Sequence, residues 1–477
     1  MAYKDWTSDD WTGGLIDKAI DNLIPDNASR DCSNVICRYI GLIQKRTGRS
    51  KLNSSALAGG IQGIFPFYYG TLASPTRRLM VAANGNIAYW NSATSAFVNV
   101  HTGWNASALV SMCSYTGRLL YCNGVNVPRE WDGTTDQELD NAPSTSQFFE
   151  AYAGKVFTVD AAEPSYLRWC NNYARTDWSV VNEWGVKDGD GDKITAVKNH
   201  NGYLTVFKRY STHVFSGTTF DLSVNPFKLT EVDTNTGCVG KFAAAVDGPL
   251  CYFVSDSGIC VFDGSQIANL SENRIPAFWA TVSTNALSGA AVEIDEYGLV
   301  WFSLPVGSST TNNAVLVYDP TTGAFWPWTA NVSCFAHFDD GTDKYFYGGG
   351  VGSSDAGYVF KLNTGTDDAG TAIDAYWTSE YFTADTPERE KKSKKIFVTD
   401  SENTSNVFTL TVSRTTTSRG AYTAPTLKST DGKLREFKLT GDKKFLEISY
   451  KLSHSALGTA EARKVTIPYK VKTKPGV

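Results

Sequence analysis

Apolar and polar residues alternate along most of the chain, which is the pattern of half-buried β-strands. Between residues 61 and 372 one unit recurs about seven times: a Gly or Asp-Gly turn followed by alternating aromatic and β-branched residues. Clear copies are "NGNIAYWNSATSAFVNV", "NGYLTVFKRYSTHVFSG" and "VDGPLCYFVSDSGICVFDG". One hairpin cannot bury its own apolar face, so the repeats favour a β-propeller, and seven hairpins are too many for a two-sheet sandwich.

The two ends of the chain differ from this repeat. Residues 1–60 mix turn formers with a short helical pattern at Ile16, Ile20 and Leu23, which Pro25 ends. The final part alternates again, in stretches such as "KKSKKIFVTD" and "KKFLEISYKLS". The sequence therefore predicts an all-β protein with three parts: an N-terminal docking or platform segment (1–60), a β-propeller (61–375) and an antiparallel, sandwich-like C-terminal β domain (376–477).

The net charge of −5 hides an asymmetry. Residues 387–477 carry 19 Lys and Arg against 9 Asp and Glu, whereas the rest of the chain carries 25 against 40. All tryptophans lie at or before Trp377, and the last cysteine is Cys334. Composition and charge change together near 376–387, which indicates a domain boundary there.

The densest run of charge is "ADTPEREKKSKKIF", and it supplies the candidate interface residues. Its cations are Arg389, Lys391, Lys392, Lys394 and Lys395. One interpretation is a solvated start of a strand; the other is a contact surface for an acidic partner or a nucleic acid. Aromatic residues are not interleaved with the run, which argues against specific single-strand binding.

A second cluster, "DGDGD", places Asp188, Asp190 and Asp192 in one loop and resembles the start of a calcium loop. A helix–loop–helix calcium site needs a bidentate acid at its twelfth position, which is Asn199 when Asp188 is the first. The flanks also predict strands. A turn in which the two intervening glycines take positive φ is the favoured interpretation, and calcium in another geometry is the alternative.

Motifs for catalysis and for cofactors are not found, so we expect a protein that is not an enzyme and holds no cofactor or metal. The five histidines form no HExxH pattern, and no phosphate loop of the GxxxxGK[ST] type occurs. The nine cysteines form no CxxC pair, which predicts buried reduced thiols; Cys32 and Cys37 alone would make half a zinc site. Acid pairs for glycoside hydrolysis, distant in sequence, stay open.

Two features predict where the protein is made. The chain has no apolar run of about 18 residues, so we expect no membrane anchor. The N-terminus "MAYKDWTSDDWTGG" lacks the apolar core of a signal peptide, so we expect synthesis in a cytoplasm.

Several stretches occur in an order that resembles a known family. They are "GGLIDKAIDNLIPDNASRDCSNVICRYIGLIQKRTG", "YLRWCNNYARTDWSV", "DGDKITAVKNHNGYLTVFKRYSTHVFSG", "GCVGKFAAAVDGPLCYFVSDSGICVFDGSQI" and "AYWTSEYFTADTPEREKKSKKIFV". Together they cover most of the chain, and the third is the strongest. The set resembles the tail nozzle proteins of short-tailed bacteriophages, also called tail hub or stabilisation proteins.

The resemblance implies a structural part of the virion tail, made in the host cytoplasm. Family members form a homohexameric ring below the portal and adaptor rings, extend the channel for double-stranded DNA without sequence-specific binding, and anchor tail fibres or spikes. An acidic wall would let DNA pass, and a basic C-terminal domain would dock on an acidic neighbouring ring. The alternatives are a receptor-binding or baseplate propeller of a phage tail and a glycan-acting propeller enzyme.

Overall fold

Strands make up almost all the regular structure of the chain. The computed structural model describes residues 3–19, 23–71, 73–219, 225–400, 407–415, 421–431, 433–441 and 443–472. Within these residues the helical elements are α1 (Pro276–Trp279) and a 3₁₀ turn (Thr284–Gly289). The prediction of an all-β protein is confirmed at this level.

The N-terminal part of the described chain contributes six short strands. They are β1 (Lys4–Ser8), β2 (Gly14–Leu15), β3 (Ala28–Ser33), β4 (Val35–Tyr39), β5 (Leu42–Lys45) and β6 (Ser50–Lys51).

The described residues that follow form seven four-stranded antiparallel sheets, numbered here in chain order. Sheet 1 contains β7 (Ile61–Thr71), β8 (Ser74–Ala83), β9 (Asn86–Asn91) and β10 (Ala96–His101). Sheet 2 contains β11 (Ser111–Tyr115), β12 (Arg118–Cys122), β13 (Arg129–Trp131) and β14 (Asp136–Glu138). Sheet 3 contains β15 (Glu150–Tyr152), β16 (Lys155–Val159), β17 (Tyr166–Trp169) and β18 (Glu183–Gly185). Sheet 4 contains β19 (Ile194–His200), β20 (Tyr203–Lys208), β21 (Thr212–Ser216) and β22 (Lys228–Asp233).

The remaining three sheets complete this series. Sheet 5 contains β23 (Ala244–Asp247), β24 (Leu250–Ser255), β25 (Gly258–Phe262) and β26 (Ile267–Asn269). Sheet 6 contains β27 (Ala291–Ile294), β28 (Val300–Leu304), β29 (Ala314–Asp319) and β30 (Ala324–Trp328). Sheet 7 contains β31 (Val332–Asp339), β32 (Lys344–Gly350), β33 (Val359–Lys361) and the N-terminal strand β6.

Two-residue turns explain the hairpins inside these sheets. Asn84 and Gly85 have φ of 48° and 75°, and Asn201 and Gly202 have φ of 51° and 86°. Positive φ at both central residues defines a type I′ turn, whose twist matches that of the strands it joins. The Gly-containing turns that the sequence predicted are therefore real hairpin turns.

The first strands of the seven sheets contact one another in chain order. β7 contacts β11, and the series continues through β15, β19, β23, β27 and β31, which contacts β7 again. Sheet 7 is completed by β6, where Lys51 lies opposite Phe360 and Ser50 opposite Lys361. A strand from before the series thus fills the last position of its final sheet.

Apolar side chains fill the spaces between neighbouring sheets. Phe67 and Met80 of sheet 1 belong to the same buried cluster as Leu119 and Tyr121 of sheet 2. Another cluster joins sheet 1 to sheet 7, with Val81 buried beside Phe338 and Tyr347. Strands buried on both faces, such as β16 with "KVFTV", follow from this arrangement.

The C-terminal part forms ten strands among its described residues. They are β34 (Ala375–Ser379), β35 (Lys391–Lys392), β36 (Lys395–Thr399), β37 (Thr409–Thr415), β38 (Thr426–Asp431), β39 (Leu434–Lys438), β40 (Lys444–Phe445), β41 (Glu447–His454), β42 (Glu461–Ala462) and β43 (Lys464–Val471). The large sheet has the order β38-β39-β36-β43-β35-β40, with β1 on β43. A five-stranded sheet has the order β2-β3-β34-β41-β37, and a three-stranded sheet has the order β4-β5-β42.

The two ends of the chain share these sheets. β1 pairs with β43, β3 with β34 and β5 with β42. Trp6 of β1 stacks on Phe382 at 4.4 Å, and the Tyr450 hydroxyl of β41 donates to Ser8 Oγ at 2.7 Å. The N-terminal segment is thereby joined to the C-terminal part through main-chain pairing, which the sequence did not predict.

The short helix predicted near Ile16 is wrong for the described residues of that stretch. Ile20 lies outside them, and 14–19 and 23–25 contain no helix. Ile16 N donates to Ser29 O at 2.9 Å, which keeps the chain extended beside β3. The Asp17 carboxylate instead accepts hydrogen bonds from Ala277 N and Phe278 N at the start of α1, so a tertiary contact overrides the local pattern.

Candidate functional site

Lys391, one of the five cations in the sequence-predicted interface, lies inside the protein. Its side chain donates to Thr386 O at 2.6 Å and to Leu446 O at 2.8 Å, and the residue has no exposed surface. Burial lowers the pKa of this lysine. Lys391 therefore fixes the loop before β35 and offers no charge to a partner.

The other cations of the run lie at or near the surface. Lys395 pairs with Glu436 at 2.7 Å, and Arg389 pairs with its neighbour Glu388 at 3.4 Å. Lys392 and Lys394 are exposed, and neither has an ion pair with a carboxylate among the described residues. Two cations of the run are thus available to an external anion.

The large sheet brings further lysines to this surface. Lys392 lies opposite Lys444 of β40 on one side and opposite Lys470 of β43 on the other. Directly opposed residues of antiparallel strands share a face, and like charges in this position are destabilising. We call Lys392, Lys444 and Lys470 the lysine row. Glu390 pairs with Lys444 at 3.8 Å and with Lys472, and so offsets part of this positive charge.

Sequence reasoning missed Lys444 and Lys470. Both occur in stretches whose alternation predicted strands, so their position on a partly exposed strand face could have been expected. Their placement beside Lys392 depends on strand register between segments about 50 and 80 residues apart, which alternation does not encode. The candidate site is therefore a basic face built from three strands, where the sequence indicated a single run.

The acid loop at 188–192 is held by donors of the protein itself. Asp190 Oδ1 accepts from the buried Lys208 Nζ at 2.5 Å. Asp192 accepts from Tyr210 N at 2.9 Å, and Asp188 accepts from the Tyr166 hydroxyl at 3.0 Å. Asp190 and Asp192 thus hold the loop against the end of β20 and the corner before β21, and Asp188 holds it against β17.

Charge and backbone geometry agree with a structural turn. Lys208 Nζ also donates to Val186 O at 3.0 Å and to Lys187 O at 3.2 Å. Burial alone would raise the pKa of Asp190, but hydrogen bonds from Lys208 and from Asp192 N lower it overall. Gly189 and Gly191 have φ of 86° and 78°, as the sequence predicted for this turn.

We expect Asp190→Asn to lower the free energy of unfolding by about 1–2 kcal/mol, because the buried Lys208 ammonium loses the carboxylate that it pairs with in the described chain but keeps an amide oxygen. Asp188→Asn is the matched control in the same loop, with an expected change below about 0.5 kcal/mol, since its partner is an exposed hydroxyl. Urea unfolding followed by tryptophan fluorescence measures both. Equal losses, or a larger loss in the control, would contradict this account.

The cysteines are structural. All nine are buried and free, which confirms the prediction of reduced, buried thiols. Burial raises the pKa of Cys37 to about 11, and its thiol donates to Tyr39 O at 3.3 Å. In the described part of the chain, no three His, Cys, Asp or Glu side chains gather as a metal ligand set.

Comparison with known proteins adds little to this picture. No known protein family and no curated protein matches the chain. Among solved structures it is similar to the computationally designed Ika8 protein, at 10% identity and a TM-score of 0.39, over 66% of this chain and 100% of that one. A likeness at that score carries no functional argument. Over the described residues, no helix has the length and apolarity to cross a membrane.

Proposed function

We propose that this chain is the subunit of a tail nozzle ring in a short-tailed bacteriophage, a structural part of the virion with no catalytic role. One observation carries the proposal: the chain combines a series of seven sheets with a C-terminal unit that presents the lysine row on one face. The ordered sequence stretches that resemble the nozzle family support it independently. The ring would extend the channel for double-stranded DNA and anchor fibres or spikes.

We infer that the seven sheets are the blades of a β-propeller. Each described sheet is a four-stranded antiparallel unit, and the contacts between first strands return from β31 to β7. Completion of sheet 7 by β6 supports closure, because it joins the start and the end of the series by backbone hydrogen bonds. The large and five-stranded sheets are inferred to form the predicted sandwich, supported by the contact of Tyr450 with Ser8.

Charge supports the division of tasks between the two parts. Residues outside 387–477 carry 25 basic against 40 acidic side chains, so a channel wall built from them repels phosphate and lets DNA slide. The lysine row suits an acidic docking surface on a neighbouring ring, because opposed lysines repel one another until an anion lies between them.

The mass of the native assembly tests the proposal. Native mass spectrometry and negative-stain microscopy of the purified chain, with and without its adaptor ring, should reveal a closed ring of about six copies with a central hole. A chain that stays monomeric and ignores the adaptor ring would overturn the nozzle proposal. A receptor-binding or baseplate propeller would then be the better assignment, and a screen for glycan cleavage would test the enzyme alternative.

Reversing the lysine row should weaken docking on the adaptor ring. We expect the triple variant Lys392→Glu, Lys444→Glu and Lys470→Glu to lower the affinity at least about tenfold at low salt, with a smaller difference at high salt because ions screen exposed charges. Ring binding measured by ultracentrifugation over a salt series gives the readout.

The matched control reverses three exposed lysines outside the C-terminal sheets: Lys193→Glu, Lys228→Glu and Lys344→Glu. The net charge changes equally in both triple variants, so only the position of the charge differs. An equal loss in both would mean that net charge, and not the lysine row, governs docking. Lys391 is left unchanged because its reversal would place a carboxylate against two carbonyl oxygens.

A further inference from the structure

A cavity of about 350 Å³ lies inside the ring of first strands. Residues on all seven first strands line it, from Ile64 on β7 to His337 on β31. Its apolar wall includes five phenylalanines: Phe65, Phe148, Phe149, Phe242 and Phe335. A cavity of this size, whose wall mixes apolar surface with charged groups, can hold a small molecule.

Two acids and two lysines also line this cavity without pairing. Glu150 and Glu293 lie on β15 and β27, Lys198 lies on β19, and Lys241 precedes β23. No ion pair joins these acids and lysines within the described residues, although each lines the same small space. Opposite charges that stand apart on the walls of one cavity leave room for a molecule that bridges them.

Three of these charged groups, Glu150, Glu293 and Lys198, keep hydrogen-bonding capacity that the described chain does not use. Glu150 Oε1 accepts from Asn199 N at 3.0 Å, and Glu293 Oε1 accepts from Ile294 N at 3.1 Å, which leaves the second oxygen of each carboxyl free of protein donors in the described chain. Lys198 Nζ has no hydrogen-bond partner among the same residues. The unused groups are therefore acceptors from two strands and a donor from a third.

Burial is the largest influence on the pKa of three of these groups. Burial raises the pKa of Glu150 and of Glu293, and the charge of Lys198 opposes both shifts. Burial also lowers the pKa of Lys241 to about 8; its ammonium donates to Leu109 O and Gln147 O. A ligand that brought charges of both signs would relieve these desolvation costs together.

We propose that this cavity binds a small zwitterion with an apolar body, of the class of the aromatic and large aliphatic amino acids. The ammonium of the ligand is held by Glu150 and Glu293, its carboxylate by Lys198, and its side chain by the phenylalanine wall. A second depression is lined by Leu109 and Ser333, the chain neighbours of the cavity-lining residues Val110 and Cys334. The site is independent of the ring assembly proposed above.

Isothermal titration of the full chain tests the site with three probes. L-Phenylalanine carries both charges, phenethylamine lacks the carboxylate, and 3-phenylpropanoate lacks the ammonium. We expect L-phenylalanine to bind at least about tenfold more tightly than either analogue, since each lost charge pair costs about 1.4 kcal/mol or more. Absence of L-phenylalanine binding, or equal binding of all three probes, would overturn the proposal.

Single substitutions test whether ligand binding depends on the charged groups of the cavity. Glu150→Gln and Lys198→Met should each weaken L-phenylalanine binding at least about tenfold, with binding of the analogue that lacks the matching charge almost unchanged. Glu272→Gln, an exposed glutamate away from the cavity, is the matched control and should bind as the parent does. If either cavity variant binds like the control, the assignment is wrong. Ring formation should be unaffected in every case. A negative result in this binding test therefore leaves the nozzle proposal untouched, and the reverse also holds.

Discussion

Arg46→Ala is expected to lower the free energy of unfolding by about 3–5 kcal/mol, because it leaves a buried charge network without its centre. The Arg46 guanidinium is almost fully buried and pairs with Asp368 through its two terminal nitrogens, at 2.6 and 3.0 Å. It also donates to Thr329 O at 2.9 Å and to Asn34 Oδ1 at 2.8 Å. One side chain thus joins the N-terminal segment to two distant parts of the chain.

The position of this network explains the size of the expected effect. Arg49, three residues on, pairs with Asp355 at 2.7 Å, lies 3.6 Å from Asp368 and covers the ring of Phe360 at 4.2 Å. β6 follows at once and completes sheet 7. Loss of Arg46 therefore weakens the contact that holds the last strand of the series in place.

A matched control and a double variant test this prediction. Arg77→Ala is the matched control, because its pair with Asp339 at 3.1 Å is partly exposed and its loss should change stability by less than about 1 kcal/mol. Arg46→Met combined with Asp368→Asn removes both charges and should recover part of the loss. Urea unfolding monitored by tryptophan fluorescence measures all three. A loss in Arg46→Ala no larger than in Arg77→Ala would show that the network does not secure sheet 7.

The sequence predicted those features of the fold that depend on residues adjacent in the chain. Alternation and Gly turns identified the hairpins, because strand faces and positive φ are properties of adjacent residues. Asn84–Gly85 and Asn201–Gly202 are examples in which two residues specify a turn. The turn at the acid loop was also predicted, because its two glycines indicate a turn without reference to the side chains that bind its carboxylates.

Long-range pairing could not be predicted in this way. Trp6 lies opposite Ile467, and no periodic signal connects residues so far apart in the sequence. The same limit applies to the lysine row and to the cavity charges, which come from separate strands. Lys391 shows a further limit: a lysine with carbonyl oxygens within reach can be buried, so a basic run does not establish a basic surface.

Glu380 is a buried acid whose carboxyl has no hydrogen-bond donor in the described chain. It follows β34, is 3% exposed, and both of its carboxyl oxygens lack a partner there. Burial, and next the charge of Asp26, raises the pKa of Glu380 to about 9. The folded protein therefore holds this side chain in its neutral form near neutral pH.

This shift makes stability depend on pH. An unfolded chain releases the proton of a glutamate near its ordinary pKa of 4.5, whereas the folded protein keeps it up to about 9. Between these values the folded state binds more protons, so stability falls as the pH rises. Below the lower value both states are protonated and the cost vanishes. A pKa difference is worth about 1.4 kcal/mol per pKa unit, so above a pH of about 9 the loss of stability is at most about 6 kcal/mol.

Glu380→Gln is expected to remove this dependence, because an amide of similar size does not titrate. From about pH 5.5 to 8.5 the variant should gain stability over the parent by about 1 kcal/mol per pH unit, close to the linkage limit. Urea unfolding at several pH values measures the difference, and Glu272→Gln, an exposed glutamate, should follow the parent throughout. Parallel pH profiles for the parent and Glu380→Gln would show that the buried carboxyl titrates as an ordinary one, and that its burial carries no energetic cost.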